Sequence, residues 1–309
     1  MTKNKLTGLL LVLATAIISG FSVYLNKFGV KEINPYVFTF VKNSIAALPF
    51  LFLAIPAYRQ LKKLEIKEKV LFYLIAVVGG SIPFLLFFKG LSMATAANAS
   101  FIHKTMFIYI ALFSIYFLKE KLNVIAYAGI GILMVGSVMF FKIQPSKLGV
   151  GELYILLATL LWTAEILISK KLLSKVSANL VSVSRMFLGS ILIFVYLLIS
   201  GQAGQLIQLN SHQWTWLLIG GAFLFGYVLT FYHSLKRLTA AEASSVLTLA
   251  VPITTILIMT NQHVTMTNRD ITAIALLAVG VVIIYTSNYI TRIFPLAFSF
   301  LAKTKTSSR

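Results

Sequence analysis

The chain has 309 residues, of which 59% are hydrophobic and 11% charged, with a formal net charge of +19 and a mean hydropathy of +0.90. A soluble domain carries roughly 25% charged residues, so the composition excludes one and the length reads as a count of membrane spans. The absence of cysteine excludes a disulfide framework, a thiol nucleophile and a thiolate metal site.

The chain opens on "MTKNKLTGLLLVLATAIISG". Lysines followed by an apolar run resemble a signal peptide. The run continues to about Val23 and many similar segments follow, so an uncleaved first helix is expected. Apolar runs bounded by polar clusters predict ten spans, at about 6–26, 36–56, 70–90, 95–118, 123–141, 150–170, 177–200, 213–235, 241–260 and 271–290. Each is near the ~20 residues that cross a bilayer. "LKEKLN" after the fourth span and "LKRLTAAE" before the ninth read as tight turns. Beyond the tenth, "IFPLAFSFLA" is too short to span and contains Pro295, which places it at the interface.

The basic residues lie mostly between the apolar runs rather than on a polar domain, which argues against a nucleic-acid partner. With the N-terminus cytoplasmic, the inner segments hold 18 Lys and Arg and the outer segments 6, the latter being Lys27, Lys31, Lys89, Lys142, Lys147 and Arg269. That bias predicts both termini in the cytoplasm, in the cell membrane. Lys42, Lys104 and Arg185 remain, inside the spans.

The two halves resemble each other. "LAT" at Leu13 recurs at Leu157, "LSMATAANAS" ending at Ser100 recurs as "LKRLTAAEAS" ending at Ser244, and "VGSVMF" at Val135 recurs as "VGVVII" at Val279, all at an offset of 144 residues. The second and seventh spans align with a slip of one, setting Lys42 against Arg185. Five spans per half is odd, so the second half runs through the membrane in the opposite sense. The fold class expected is an all-α polytopic membrane protein of ten helices, two inverted five-helix repeats (5+5). The repeats are placed at 1–143 and 144–292, with 293–309 a short cytoplasmic or interfacial tail. Inverted repeats are the usual build of secondary transporters, with a site near the midplane; a duplicated scaffold without transport is the bland alternative.

On these residues the chain resembles the EamA-type transporters, the ten-helix branch of the drug/metabolite transporter superfamily. "FGYVLTFYHSLKRLTAAEASSVLTLAVPITTILIM" and Gly280 are similar to the second unit of that family, and "FFKGLSMATAANASFI…IYFLKEKLN…GIGILMVGSV" to the first. The resemblance implies the 5+5 fold, alternating access and movement of small metabolites, often outward. The glutamate usual after the fourth helix is Glu120, but its counterpart after the ninth is Val264. The proline usual in the ninth helix is Pro252, but the fourth has Ile108, so a straighter fourth helix is expected.

A charge at the bilayer centre costs about 2.5–3.5 kcal/mol on insertion scales, so such groups face a cavity or a partner. His103 and Lys104 lie 8–9 residues into the fourth helix, about 12–14 Å deep. Their mates in the other half are Leu247 and Thr248, so the pair breaks the repeat symmetry where a substrate would sit. Adjacent helical residues point about 100° apart, so both can border one cavity; a structural pair bonded to carbonyls is the alternative. Lys42 and Arg185 fit a structural or gating role as well as substrate contact. Glu165 could pair with a cavity cation, take a coupling proton or reach Lys170, with Trp162 an aromatic wall on the same face or simple packing. Glu242 and Asn98 read as helix N-terminal caps. Three interior cations against one acid favour an anionic or zwitterionic ligand with a carboxylate or phosphate.

There is no HExxH, GxSxG or P-loop, and the four histidines at 103, 212, 233 and 263 are scattered, so an enzyme is not expected. The function expected is secondary active transport of a small polar metabolite, such as an amino acid or related compound, by export. A proton or counter-substrate is the candidate coupling partner, and membrane lipids surround a monomer or homodimer; no cofactor is implied. The rival is a lipid or lipid-linked-sugar flippase of the same fold.

Overall fold

In a computed structural model the backbone is described for residues 3–140, 149–263 and 265–306, and side chains within these ranges except at 140 and from 288 onward. The repeat boundary at 143/144, Lys142, Lys147, Val264, and the side chains of Pro295 and the rest of the tail lie outside the described residues.

Ten apolar helices form the described structure: α1 Lys3–Glu32, α2 Pro35–Ala57, α3 Ile66–Met93, α4 Ala96–Phe117, α5 Val124–Phe140, α6 Val150–Leu172, α7 Ala178–Ile199, α8 Ser211–Leu235, α9 Ala240–Gln262 and α10 Asn268–Thr306. Nine are long enough to cross a membrane and α5 is shorter. In a bilayer each backbone N–H and C=O must be satisfied within the protein, which leaves the helix as the spanning form here. Local signals start the helices. Asn34 accepts from Tyr36 N at 2.9 Å with Pro35 in the first turn. Thr95 and Thr239 each accept the N–H three residues on, at 3.1 Å, and Asn210 forms a capping box with Gln213. Lys119, at φ 54°, ends α4 in the left-handed region.

The expected spans recur, with differences in their ends and interiors, α10 continuing to Thr306. α1 runs six residues past its expected end, so Lys27 and Lys31, counted with an outer loop, are helical. α4, expected to be straighter for want of a proline, is interrupted at Thr105. There the Thr105 N–H is shared between Phe101 O and Ile102 O at 3.0 and 3.2 Å. Its hydroxyl takes Ile102 O at 2.7 Å, so the side chain competes with the helical ladder. α9 has a 3₁₀ turn at Leu247–Leu249, the corresponding depth of the other repeat. α3 and α7 each contain a π turn, at Ala76–Ser81 and Ser184–Leu188. Such bulges collect at functional sites.

Packing sorts the helices into two walls. α1 lies along α8 and touches α9, while α3 lies along α6, which α4 also joins. α2 and α7 close the bundle between them, and α5 and α10 pack chiefly on each other. α1 and α3 meet sparsely. The space between the walls holds the ionisable residues.

Candidate functional site

The site is built around a glycine pair in the π turn of α3. A Cβ on Gly80 would lie 2.9 Å from Gly189 Cα and 2.8 Å from the Arg185 carbonyl carbon, so α3 and α7 cross backbone to backbone. A Cβ on Gly79 would strike the Glu165 side chain. The irregular turn also leaves the Gly79 carbonyl to accept the Trp162 indole N–H at 3.0 Å. Gly79 and Gly80 thus let α6 and α7 deliver Trp162, Glu165 and Arg185 to one place. The sequence reading passed over them; a Gly–Gly doublet inside an apolar span was the available signal.

Glu165 is wholly buried. Its Oε1 accepts from Tyr232 OH at 2.5 Å and from the Ser169 hydroxyl, and its Oε2 from Arg185 at 3.2 Å. The Arg185 guanidinium also donates to the Tyr232 hydroxyl at 3.3 Å and lies 5.4 Å from the Phe84 ring centre and 5.8 Å from that of Trp162. Glu165 is therefore committed to Arg185, and Lys170 turns instead to the carbonyls of Leu235 and Leu238.

A central cavity of about 60 Å³ opens beside this pair. Lys42, His103, Trp162 and Arg185 face it, with Ser22 and Asn26 of α1 and a wall of Phe84, Phe87 and Phe88. His103 stacks at 4.9 Å on Trp162 and 5.3 Å on Phe87, and its Nδ1 is buried with no hydrogen-bond partner among the described residues. Arg185 Nε is likewise unpartnered. The Lys42 ammonium meets rings rather than an acid: it sits 3.7 Å from the centre of Phe88 and 5.4 Å from that of Phe84. A cation over an aromatic face is attracted by the ring quadrupole, but its charge is left to act on the cavity.

Lys104 is separated from its neighbour. The turn of α4 points it away from the cavity wall, where its Nζ donates to Ser19 Oγ at 2.7 Å. The structure thus gathers four of the six expected residues around the cavity. Glu165 sits behind Arg185, and Lys104 reaches the cavity only through Ser19. Of the two expected caps, Glu242 closes a capping box on Thr239 N at 3.0 Å and also pairs with Lys5 at 2.6 Å. Asn98 reaches across to Glu152 at 2.8 Å instead.

A larger space, about 480 Å³, lies between α3, α4 and α6, lined by Leu71, Phe113, Phe117, Leu167 and Ile168 with Lys171 at its edge. It is apolar and no buried ionic group faces it. The central cavity is where polar groups converge inside an apolar shell, the signature of a ligand site.

The EamA-like transporter family matches this chain twice, over residues 6–142 and 149–286. The chain belongs to the EamA-like transporter family. The two matches are its two repeats, and they fit the 5+5 arrangement of the ten helices. An uncharacterized transporter of Archaeoglobus fulgidus is 26% identical over 250 residues, 79% of this chain and 83% of that protein. The uncharacterized transporter YoaV of Bacillus subtilis is 25% identical over 249 residues, 76% and 82% of the two chains. A crystal structure described only as that of a protein superposes with a TM-score of 0.67 at 17% identity, covering 88% of this chain and 94% of that one; the likeness is one of fold. This EamA-family member is a multi-pass integral membrane transporter.

Proposed function

We propose that this EamA-family transporter carries a small metabolite bearing a carboxylate or phosphate, such as an amino acid or a related compound, outward by alternating access around the central cavity. The observation that carries the reading is Lys42. Arg185 is neutralised by Glu165, whereas the Lys42 ammonium faces the cavity over Phe88 with no acid beside it among the described residues. An uncompensated buried cation calls for an anion. Arg185 Nε and His103 Nδ1 are further buried groups open to a ligand, and the ring wall suits an apolar side chain. A cavity of about 60 Å³ admits a few waters only. Loading a metabolite requires the walls to part, which is the motion of alternating access.

The test is counterflow of a panel of amino acids, keto acids and phosphate esters in proteoliposomes. Lys42→Met is expected to cut transport of the accepted anion at least about 30-fold, the scale of losing one partner of a buried charge pair. Lys104→Met, acting through Ser19, is expected to cost less. Unchanged transport by Lys42→Met would sink the reading.

The Lys5 end of the bundle is proposed to face the cytoplasm of a cell membrane. Because the chain has no cysteine, an impermeant thiol reagent on single cysteines at Lys67 and Gln205 reads this directly. Labelling of Gln205→Cys alone in intact cells is expected; labelling of Lys67→Cys alone would reverse the orientation. The apolar space between α3, α4 and α6 favours the second reading, a lipid carrier. Transport of a labelled lipid with no counterflow of any soluble anion would select it.

A further inference from the structure

Two lysines that the charge count assigned to loops do the same thing at opposite ends of the molecule. Lys27, on α1, donates to the carbonyls of Leu91 at 2.6 Å and of Ala94. Lys170, on α6, donates to the carbonyls of Leu235 at 2.8 Å and of Leu238 at 2.5 Å. Leu91 and Leu235 are repeat mates at the offset of 144, as are Ala94 and Leu238; the lysines are mates one residue short of it. Each ammonium occupies the free carbonyls at a helix C-terminus, α3 or α8, just before the turn that leads into α4 or α9. The last carbonyls of a helix lack partners and carry its negative pole, so a lysine there is favoured.

A local cap would come from the same helix. These do not. Lys27 belongs to the α1–α8–α9 wall and grips the α3–α4 turn of the other wall. Lys170 belongs to the α3–α4–α6 wall and grips the α8–α9 turn of the first. The walls also meet where α4 packs on α9, while α1 and α3 meet sparsely, and each lysine adds a tie between the walls at one end.

We propose that Lys27 and Lys170 are opposed gate latches, each released when its own end opens. This rests on the alternating-access reading but not on any substrate. The two ends are not equal. At the Lys170 end, Glu120, just after α4, accepts from Ala240 N and Ala241 N of α9, at 2.8 and 3.3 Å, a second tie between the walls. At the Lys27 end the neighbouring bond, Asn98 to Glu152 at 2.8 Å, joins α4 to α6 within one wall and adds no tie between the two. The Lys170 end is the more firmly closed.

The test uses purified full-length protein in detergent, with Ser22→Cys as reporter for the Lys27 end and Thr15→Cys, buried against Thr230, for the Lys170 end. A polar maleimide reads the opening of each. Lys27→Met is expected to speed labelling at Ser22→Cys about tenfold, the factor for losing one charged hydrogen-bonded tie, and to leave Thr15→Cys unchanged. Lys170→Met is expected to speed Thr15→Cys alone and by less, reaching about tenfold when Glu120→Gln is added. Lys27→Arg and Lys170→Arg keep the donors and are expected to restore slow labelling, which separates latching from misfolding. Either methionine variant speeding both reporters alike overturns the proposal. So does a slow Ser22→Cys in Lys27→Met, or a slow Thr15→Cys in the Lys170→Met/Glu120→Gln pair. Because labelling needs no substrate, a failed transport panel leaves this result intact and the reverse also holds.

Discussion

Gly80→Ala is expected to abolish a monodisperse, folded protein in detergent, whereas Gly131→Ala is expected to fold at least as well as the parent. The same methyl group meets opposite surroundings. At Gly80 it would press on the Arg185 carbonyl and lie 2.9 Å from Gly189 Cα. These are backbone atoms, which no rotamer change can move aside. Forcing atoms into a packed interior costs typically about 1–3 kcal/mol, and more where side chains cannot adjust. Here α3 and α7 must separate, and the contacts between the two π turns go with them. At Gly131, in α5, nothing among the described residues lies within 4 Å of the added Cβ. Alanine there gains roughly 0.5–1 kcal/mol of helix preference over glycine. Thermal unfolding followed by size-exclusion fluorescence compares the two directly. Equal stability for the two variants would mean that the α3–α7 crossing is looser than the backbone distances indicate.

The sequence made the architecture legible because each span is a run of apolar residues and each repeat match is a linear offset. Lys42, His103, Trp162 and Arg185 were legible as cavity residues for the same reason, since depth follows from counting along a helix. Direction around the helix was harder. Lys104 lies as deep as His103, but one further residue of helical rotation hands it to Ser19. The break at Thr105 was hidden because proline was the signal sought, while the cause is a threonine hydroxyl bonded back to Ile102 O. Lys27 and Lys170 were hidden because both sit near span ends, where a lysine is expected to point into water. Their targets, main-chain carbonyls of another helix, leave no trace in side-chain identity. Gly79 and Gly80 were visible but unread, since what they admit is a neighbouring backbone.

Glu165→Leu is expected to destabilise the protein by about 3–5 kcal/mol, the usual result of removing one partner of a buried ion pair, and the double variant Glu165→Leu/Arg185→Leu to recover most of that loss. Arg185 and Glu165 are 5% and 0% exposed at the side chain, so water cannot take over the stranded guanidinium in the single variant. Its other hydrogen-bond partner among the described residues, the Tyr232 hydroxyl at 3.3 Å, is neutral. In the double variant both charges are gone and two apolar side chains fill much of the space, which in buried pairs is often neutral or stabilising. Tyr232→Phe removes the hydroxyl that donates to Glu165 at 2.5 Å and accepts from Arg185 at 3.3 Å but leaves the ion pair, so a smaller loss of about 1.5–3 kcal/mol is expected. Denaturant-free thermal shifts of the parent, Glu165→Leu, Arg185→Leu and the double variant close a double-mutant cycle. A double variant as unstable as Glu165→Leu would show that the carboxylate supports the fold through Tyr232 and Ser169 rather than by neutralising Arg185. The outcome bears on charge selection too. With Glu165→Gln the guanidinium joins Lys42 as a second uncompensated cation at the cavity, and preference in the counterflow panel is expected to move from singly to doubly charged anions. An unmoved preference would mean that Arg185 does not act electrostatically on the bound anion.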